Sequence, residues 1–360
     1  MTHLWLRAES RDNEARVGLT PEGVKALHAR GLAVTVEEAT QRAIEIEAYR
    51  AAGAAIAPEG SWTKAPRDAI ILGLKELPED GSALTHRHIM FGHAYKGQPA
   101  GQKLLRRFEA GGGTLLDLEY LVDGHGKRLA AFGYWAGYAG AAVALLCWIA
   151  QQRDEKVPPL TRHASAKALL ATLQSALSGI FSRPTALIIG AKGRVGNGAA
   201  DLCTHMGIPT TRWDIEETAH GGPFPEILAH DIFFNCILAR PGTPVFIPAS
   251  TVTAQRALSV IGDIACDPES DFNPVQVYDS ATSWEAPARR VSEHPPLDVT
   301  AIDNLPSLLP LEASEDFAAQ LLPSLERLPD WGDEWMRAQT LFDRAKTPYL
   351  SLLPKKPTFK

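Results

Sequence analysis

Cysteine is scarce in this sequence. Four cysteines occur in 360 residues, and no two of them form a Cys-x-x-Cys pair; they are Cys147, Cys203, Cys236 and Cys266. This spacing excludes a zinc ribbon and a disulfide framework, because both need a defined pattern of cysteines. We therefore expect buried thiols in a reducing compartment and no metal centre.

Surplus charge and an apolar leader are lacking as well. The 36 Lys and Arg residues nearly balance the 42 Asp and Glu residues, which leaves a net charge of −6. Such a chain has no basic footprint for DNA or RNA, so we expect no nucleic-acid partner. The N-terminal residues 1–16 carry charges and no apolar core, which predicts no signal peptide and a cytoplasmic protein.

One long uncharged run is present. Residues 129–150 contain no charged side chain and are long enough to span a bilayer. Alanine and glycine dominate the run, and small residues let a helix approach its neighbours closely. The composition therefore favours a buried helix and no membrane partner, with a membrane anchor as the weaker alternative.

The rest of the chain alternates short apolar runs with amphipathic segments, which predicts an α/β fold with buried, parallel strands. In the first part, we predict strands at residues 3–7, 33–36, 70–74, 89–94 and 114–118, and helices at residues 20–31, 45–53 and 100–109. After a polar break at 151–162, we predict strands at 185–189, 210–215, 231–236 and 258–264, with helices at 165–181 and up to His205. The Pro-rich segment 267–310 is predicted to be irregular. Helices at 312–325 and 331–345 carry apolar stripes, which we expect to pack on the first domain.

A glycine-rich turn follows the strand at residues 185–189. Gly190, Gly193 and Gly196 stand where a tight turn and a helix N-terminus could hold the pyrophosphate of a dinucleotide. Asp214 ends the next strand, where a carboxylate can bond ribose hydroxyls and repel a 2′-phosphate. This favours NAD over NADP, although Arg194 is near enough to favour a phosphate, and Asp214 could instead be a solvated strand-end acid.

Polar side chains also follow three strands of the first part. Lys75 and Glu76 come just after one predicted strand, His93 lies at the end of another, and Glu119 follows a third. Functional groups of open α/β sheets gather at such strand ends. They form a candidate acid–base cluster, with solvated loop residues as the alternative. Arg16, after the first strand, has the planar fork that binds a carboxylate, or it is a surface charge.

Motifs along nearly the whole chain resemble the NAD-dependent, L-lysine-forming saccharopine dehydrogenases. They include GLKE at 73–76, FGHAYKG at 91–97, LLDLEYL at 115–121, ALIIGAKGRVGNGA at 186–199 and FFNCI at 233–237. The wider group contains alanine dehydrogenase and the soluble part of nicotinamide nucleotide transhydrogenase. The resemblance implies two Rossmann-like domains with parallel sheets and an active-site cleft between them. It implies a discontinuous substrate domain of residues 1–131 plus 311–360 and an NAD-binding domain of residues 132–310.

The resemblance also implies a reaction, in which NAD oxidatively deaminates saccharopine to lysine and 2-oxoglutarate. By motif, Lys75 matches the base that takes the amine proton, and His93 matches the base that activates water for imine hydrolysis. Glu76 and Glu119 match carboxylates that tune these bases, while Arg16, Arg128 and Phe132 match substrate-side positions. The nucleotide-contacting segments of the family correspond to Gly190, Gly193, Arg194, Gly196, Asp214, Thr218, Ile237, Leu238, Asp263, Asp303, Asn304, Leu305 and Pro306.

The sequence departs from the family in two places. Some fungal members carry a second cysteine in the glycine loop, where this chain has Val195, so we expect Cys236 to be unpaired and no redox clip. Residues 279–296 match the family poorly. A dehydrogenase of a smaller amino acid such as alanine, and a non-catalytic NAD-binding subunit of the transhydrogenase kind, stay open as alternatives. The oligomeric state and the physiological direction are open too, and a monomer is compatible with the sequence.

Overall fold

The computed structural model describes residues 1–350. The chain divides into two compact units, Met1–Ala131 with the chain from Ala313 onward, and Phe132–Glu312. Of the segment 311–360 that the resemblance assigns to a substrate domain, residues 351–360 lie outside the described residues.

The first unit is built on a six-stranded parallel sheet. Its strands are β1 (His3–Leu6), β2 (Ala33–Glu37), β3 (Ala55–Ala57), β4 (Ile70–Leu72), β5 (Arg87–Met90) and β6 (Thr114–Asp117). They lie in the order β3-β2-β1-β4-β5-β6, the doubly wound order in which the strand sequence reverses direction between β1 and β4. Ligands of such sheets bind beyond the carboxyl ends of the strands next to this switch point.

The sheet differs from the sequence prediction at two strands. Strand β3 was not predicted, because its three residues are partly exposed and too short to form a distinct apolar run. Strand β5 lies at Arg87–Met90 instead of 89–94, since the backbone of His93 takes a φ of +47° and leaves the extended conformation. The candidate base His93 therefore lies on the loop that follows β5.

Helices cover this sheet, namely α1 (Pro21–Ala29), α2 (Ile46–Ala51), α3 (Pro99–Gly111), α9 (Pro310–Leu325) and α10 (Asp333–Leu350). Helix α1 begins where the sequence predicts, because the Thr20 hydroxyl accepts a hydrogen bond from the Gly23 N–H at 3.2 Å. The tail helices pack on this unit. The ring of Phe342 on α10 lies 5.7 Å from that of Phe108 on α3, and Phe317 on α9 lies 5.9 Å from Phe91.

The second unit also has a six-stranded sheet. Its strands are β7 (Ala186–Ile189), β8 (Thr210–Trp213), β9 (Ile232–Asn235), β10 (Val260–Asp263), β11 (Arg289–Ser292) and β12 (Leu297–Thr300). The order is β8-β7-β9-β10-β12-β11, parallel except for β11, and the strand sequence reverses between β7 and β9. The fold class predicted from the sequence, α/β with Rossmann-like parallel sheets, is confirmed.

The prediction that residues 267–310 are irregular is wrong for one stretch, since β11 and β12 form an antiparallel pair there. Polar residues hide these strands from a pattern search. Asp298 of β12 is buried, yet it is paired with Arg290 of β11 at 2.7 Å. A charge pair across two strands cannot be recognised from the hydrophobic pattern of either strand alone.

The helices of the second unit are α4 (Gly133–Gln152), α5 (Ala166–Ala176), α6 (Arg194–His205), α7 (Ile215–Thr218) and α8 (Pro225–Leu228). Helix α5 ends five residues before the predicted position 181. Helix α4 is the uncharged run, and within residues 1–350 it alone is long and apolar enough to cross a membrane. Its most apolar window is 72% buried, as expected of a core helix.

Glycines let α4 approach α6 closely. A Cβ added to Gly137 would lie 1.8 Å from the Val195 carbonyl oxygen, and one added to Gly198 would lie 1.9 Å from the Tyr134 carbonyl oxygen. Each glycine therefore faces the backbone of the other helix, and no larger residue fits at this distance. The small-residue composition of α4 is explained by this crossing.

Candidate active site

The sheet of the first unit places three candidate residues together at one edge. Lys75 follows β4, His93 follows β5 and Glu119 follows β6, and these strands are neighbours and parallel. Parallel strands end at the same edge of their sheet, so the three side chains share one face of the unit. The positive charge of Lys75 lowers the pKa of His93, so the two groups are close enough to interact electrostatically.

Glu119 is the centre of a charged cluster. One carboxylate oxygen lies 3.3 Å from His93 Nδ1, and the other lies 3.1 Å from Arg128 Nη2 and 3.9 Å from Lys96 Nζ. The hydrogen bond with His93, together with the charges of Arg128, His93 and Lys96, lowers the pKa of Glu119 to about 2, against a desolvation effect of burial. Glu119 is therefore ionised at neutral pH.

The same contact changes the proton affinity of His93. The hydrogen bond to Glu119 raises the pKa of His93, burial opposes the rise, and the negative charges of Glu119 and Asp117 add to it. A histidine with a raised pKa is a stronger base in its neutral form. The contact with Glu119 therefore makes the neutral imidazole of His93 a stronger base than an isolated histidine.

Asp117 was missed by the sequence analysis. It is the last residue of β6, it is buried, and one of its oxygens accepts the N–H of Glu119 at 2.9 Å. Burial raises the pKa of Asp117, although hydrogen bonds from the backbone of Glu119 and Gly92 oppose the rise. The motif LLDLEYL includes this residue, and its alternation of apolar and acidic residues was the signal that could have found it.

Arg16 is not a surface charge. Its guanidinium is buried, and Nη2 lies 2.6 Å from the carboxylate of Glu14 while Nε donates to the other oxygen at 2.8 Å. Burial would raise the pKa of Glu14, but the charge and hydrogen bonds of Arg16, aided by the charge of Lys75, lower it. The Glu14–Arg16 pair is thus electrostatically coupled to Lys75, and Glu14 is a second residue that the sequence analysis missed.

Glu76, predicted to tune the bases, and Phe132, predicted to lie on the substrate side, have the following surroundings. The side chain of Glu76 is 56% exposed, and its carboxylate pairs with Arg11 at 3.9 Å. Phe132 is the N-cap residue of α4 and belongs to the second unit.

Beside His93, a cavity of about 770 Å³ opens in the first unit, lined by Glu76, Met90, Phe91, His93, Gln98 and Leu104 among others.

The glycine loop of the second unit has the shape that a pyrophosphate needs. Gly190 has a φ of +87°, and a Cβ added there would lie 2.5 Å from Ile237 Cγ2. A Cβ added to Gly196 would lie 2.2 Å from the Gly190 carbonyl oxygen, and one added to Gly193 would lie 3.3 Å from the same oxygen, so the glycines keep side chains out of the space inside the turn. Gly193 is the N-cap of α6, so the loop delivers the first N–H groups of a twelve-residue helix to that space.

Asp214 lies beside this loop, directly after β8. Its carboxylate accepts the Lys192 N–H at 2.9 Å and the Ile215 N–H at 3.0 Å. The Thr218 hydroxyl donates to the Asp214 carbonyl at 3.0 Å, which fixes Thr218 in the same turn. The carboxylate is thereby tied to the glycine loop and keeps acceptor capacity for hydroxyl groups.

Other predicted nucleotide residues lie at the carboxyl ends of neighbouring strands. Ile237 and Leu238 follow β9, and Leu238 is 59% exposed. Asp263 ends β10, where Asn235 and Tyr278 donate to its carboxylate at 2.9 and 2.7 Å, and burial raises its pKa to about 6. Residues 303–306 follow β12; Asn304 has a φ of +67°, and Leu305 and Pro306 are buried.

These residues fit an NAD molecule. The loop that an added Cβ would fill, the helix N-terminus at Gly193 and the carboxylate of Asp214 match the pyrophosphate and adenosine ribose of a dinucleotide. A 2′-phosphate would meet the charge of Asp214, which favours NAD. Arg194 begins α6 at the same loop.

All four cysteines lie in the described part of the chain as free thiols, and burial raises the pKa of the Cys236 thiol. Across residues 1–350, no three His, Cys, Asp or Glu side chains come together as ligands of a metal ion.

Known proteins resemble this chain in sequence and in fold. The family described as "Alanine dehydrogenase/PNT, N-terminal domain" matches residues 5–139. Solved structures with the same fold include an L-alanine dehydrogenase (TM-score 0.68, 19% identity, covering 96% of this chain and 94% of the other). They also include a transhydrogenase from Sinorhizobium meliloti (TM-score 0.62, 19% identity, 91% and 94%). At this identity, the two structures support the fold alone.

Curated relatives are much more similar in sequence. The saccharopine dehydrogenase [NAD(+), L-lysine-forming] of Candida glabrata is 46% identical, and the match covers 95% of this chain and 96% of the relative. The protein of the same name from Schizosaccharomyces pombe is 42% identical, with 95% and 97% covered. The resemblance noted in the sequence is confirmed, and this chain belongs to the family of NAD-dependent, L-lysine-forming saccharopine dehydrogenases.

Proposed function

We propose that this chain catalyses the reversible, NAD-dependent oxidative deamination of saccharopine to L-lysine and 2-oxoglutarate. The observation that carries the proposal is the position of Lys75, His93 and Glu119 after three neighbouring parallel strands. A reaction that removes a proton from nitrogen and then adds water needs two bases at one site, and this edge of the sheet supplies two. The full-length relatives are named for this reaction.

Bound NAD supplies the acceptor for the hydride that leaves the carbon next to the secondary amine. Lys75, as the free amine, takes the proton from the amine nitrogen while that hydride departs, which leaves an imine. His93 then takes a proton from water as the water oxygen bonds to the imine carbon. Protonated Lys75 returns its proton to the nitrogen as the water adds, which gives a carbinolamine. The carbon–nitrogen bond then breaks as protonated His93 gives its proton to the same nitrogen and the Lys75 amine takes the proton of the carbinolamine hydroxyl, so that 2-oxoglutarate and lysine are released.

The other side chains of the cluster support these two bases. Glu119 holds the His93 imidazole and strengthens it as a base, and Arg128 neutralises part of the Glu119 charge. Arg16 and Arg128 are the cations proposed to attract the carboxylates of saccharopine. Glu76 is proposed to tune the proton affinity of the bases with its negative charge. Phe132 is proposed as an apolar contact for the substrate.

The cofactor side of the proposal rests on the second unit. Gly190, Gly193 and Gly196 give the pyrophosphate room, and Asp214 bonds the adenosine ribose. The remaining residues proposed to contact NAD are Arg194, Thr218, Ile237, Leu238, Asp263, Asp303, Asn304, Leu305 and Pro306. The ligands of the enzyme would thus be small molecules, and the free thiols and the buried α4 support a soluble enzyme of the cytoplasm.

The direct test incubates the purified protein with saccharopine and NAD. We expect NADH to form, with lysine and 2-oxoglutarate identified by mass spectrometry in equal amounts. The same incubation with alanine in place of saccharopine should give no NADH. Formation of NADH from alanine and none from saccharopine would overturn the proposal.

A further inference from the structure

A buried ion pair holds the peptide group of Lys75. Glu9 accepts two backbone hydrogen bonds, from the Leu74 N–H at 2.7 Å and from the Lys75 N–H at 2.9 Å, one on each carboxylate oxygen. Arg7 lies 3.3 Å from the same carboxylate and donates a hydrogen bond to the carbonyl oxygen of Lys75. Both polar groups of the Lys75 residue's backbone are therefore bound by one charge pair.

Arg7 and Glu9 follow β1, the strand next to β4, and Lys75 follows β4. Arg7 directly follows β1, which pairs with β4, and its N–H donates to the Leu72 carbonyl at 3.0 Å. The side chains of Arg7 and Glu9 are 2% and 7% exposed. Charges that are removed from water need partners that replace their lost hydration, and here part of that replacement comes from the backbone of residues 74 and 75.

Gly73 keeps the loop and the guanidinium in contact. A Cβ added at Gly73 would lie 2.3 Å from Nε and 2.5 Å from Cζ of Arg7. The guanidinium thus occupies the space that a Cβ of residue 73 would need, and a side chain there would push it away. The glycine of the GLKE sequence is explained by this contact.

We propose that Arg7 and Glu9 are positioning residues, which fix the backbone of Lys75 so that its amine points at the substrate nitrogen. The inference rests on the proposed function, because it assumes that Lys75 is the base. A buried ion pair is by itself weak evidence for stability. Its bonds to the backbone of a reactive residue give it a second role, since catalytic groups must be held within a fraction of an ångström.

The test compares three variants with the wild-type enzyme. Glu9→Gln keeps one acceptor but places an NH₂ group where a backbone N–H must be accepted. We expect its kcat for saccharopine to fall by about 10- to 100-fold, with KM changed by less than about threefold, because a shift of about 1 Å in a reacting group has effects of this size. Glu9→Asp keeps the charge and should recover part of the loss. Gly73→Ala should lower kcat by displacing Arg7.

A matched control is available in the same unit. Glu334 is also a buried carboxylate paired with an arginine, Arg327, at 3.5 Å, and it lies in the first turn of α10. Glu334→Gln should lower the unfolding temperature without lowering kcat. If Glu9→Gln does not fold, Glu9→Asp and Gly73→Ala still decide the question. Wild-type kcat in the folded Glu9 and Gly73 variants would overturn the proposal.

A second readout does not depend on the substrate. Acetic anhydride labelling at fixed pH, followed by peptide mass spectrometry, measures the acylation rate of Lys75 directly. We expect the rate to rise about threefold or more in Glu9→Gln, since the freed loop opens more often, and to stay unchanged in Glu334→Gln. An unchanged rate in Glu9→Gln would contradict the positioning role even if saccharopine is not the substrate. A wild-type enzyme that does not oxidise saccharopine would contradict only the proposed function.

Discussion

At the residue scale, the contact between His93 and Glu119 controls when the cluster can accept a proton. The hydrogen bond raises the pKa of His93, so the imidazole is protonated at higher pH than an isolated histidine. The stability that this ion pair contributes is present below the ordinary histidine pKa and disappears as the pH rises through the raised value. Catalysis has the opposite dependence, because a base must be neutral.

Replacing Glu119 with Gln should therefore move the pH profile. Without the carboxylate, the pKa of His93 falls, and the acidic limb of kcat/KM for saccharopine shifts to lower pH. The plateau should fall by about tenfold or more, because the neutral imidazole is a weaker base. The profile is measured between about pH 5 and 9, and Glu79→Gln, an exposed carboxylate paired with Lys103, is the control. An acidic limb that does not move would contradict the tuning role of Glu119.

Lys75 and His93 are tested by removing each base. Lys75→Met and His93→Gln should each lower the turnover of saccharopine by about 10²- to 10⁴-fold, the usual contribution of a general acid or base. The double variant should lose less than the product of the two effects, since residues that act together are not additive. NAD affinity, measured by fluorescence titration, should hardly change. Near-normal turnover in the double variant would show that both residues are structural.

At the scale of elements, helices α4 and α6 cross with their backbones in close contact at Gly137 and Gly198. Gly198→Ala places a methyl group 1.9 Å from the Tyr134 carbonyl oxygen, a backbone atom that cannot move aside without shifting a helix. We expect the free energy of unfolding to fall by about 3 kcal/mol, near the upper end of overpacking effects. Denaturant unfolding measures it, with Gly124→Ala as the control because open space surrounds that glycine. Equal stability of the two variants would contradict the close crossing.

The elements also show how far sequence patterns reach. Strands such as β4 and β7 are buried apolar runs, and the 3.6-residue period of α3 is equally clear, so a local pattern predicts them. Strand β12 is interrupted by Asp298, whose partner Arg290 lies on another strand, and a local pattern has no information about that pairing. Regular elements were therefore predictable, and those stabilised by polar contacts between strands were not.

The candidate site divides in the same way. Lys75, His93 and Glu119 were predictable because each follows a strand, and the resemblance to a family added their roles. Glu9 and Asp117 were not predicted. Each accepts hydrogen bonds from backbone N–H groups of a candidate residue or its neighbour, and such contacts exist only in the folded chain. The signal of a support residue is its partner, and a sequence alone does not show the partner.

At the scale of the whole molecule, the second unit determines which cofactor serves the enzyme. We expect at least a tenfold preference for NAD over NADP, equal to about 1.4 kcal/mol, because the Asp214 charge repels a 2′-phosphate. Asp214→Ala should narrow the preference, and Glu216→Ala, an exposed neighbour paired with Lys192, should not. The ratio of kcat/KM for the two cofactors measures this. Equal use of both cofactors by the wild type would contradict the role of Asp214.

The central claim is that this chain joins lysine to 2-oxoglutarate, and the most direct measurement is NADH oxidation with a panel of amines. The purified enzyme is given NADH, 2-oxoglutarate and, in separate reactions, lysine, ornithine or ammonia; a further reaction contains pyruvate and ammonia. The account predicts NADH oxidation that requires both lysine and 2-oxoglutarate, with saccharopine as the product. Oxidation with pyruvate and ammonia but not with lysine and 2-oxoglutarate would contradict it.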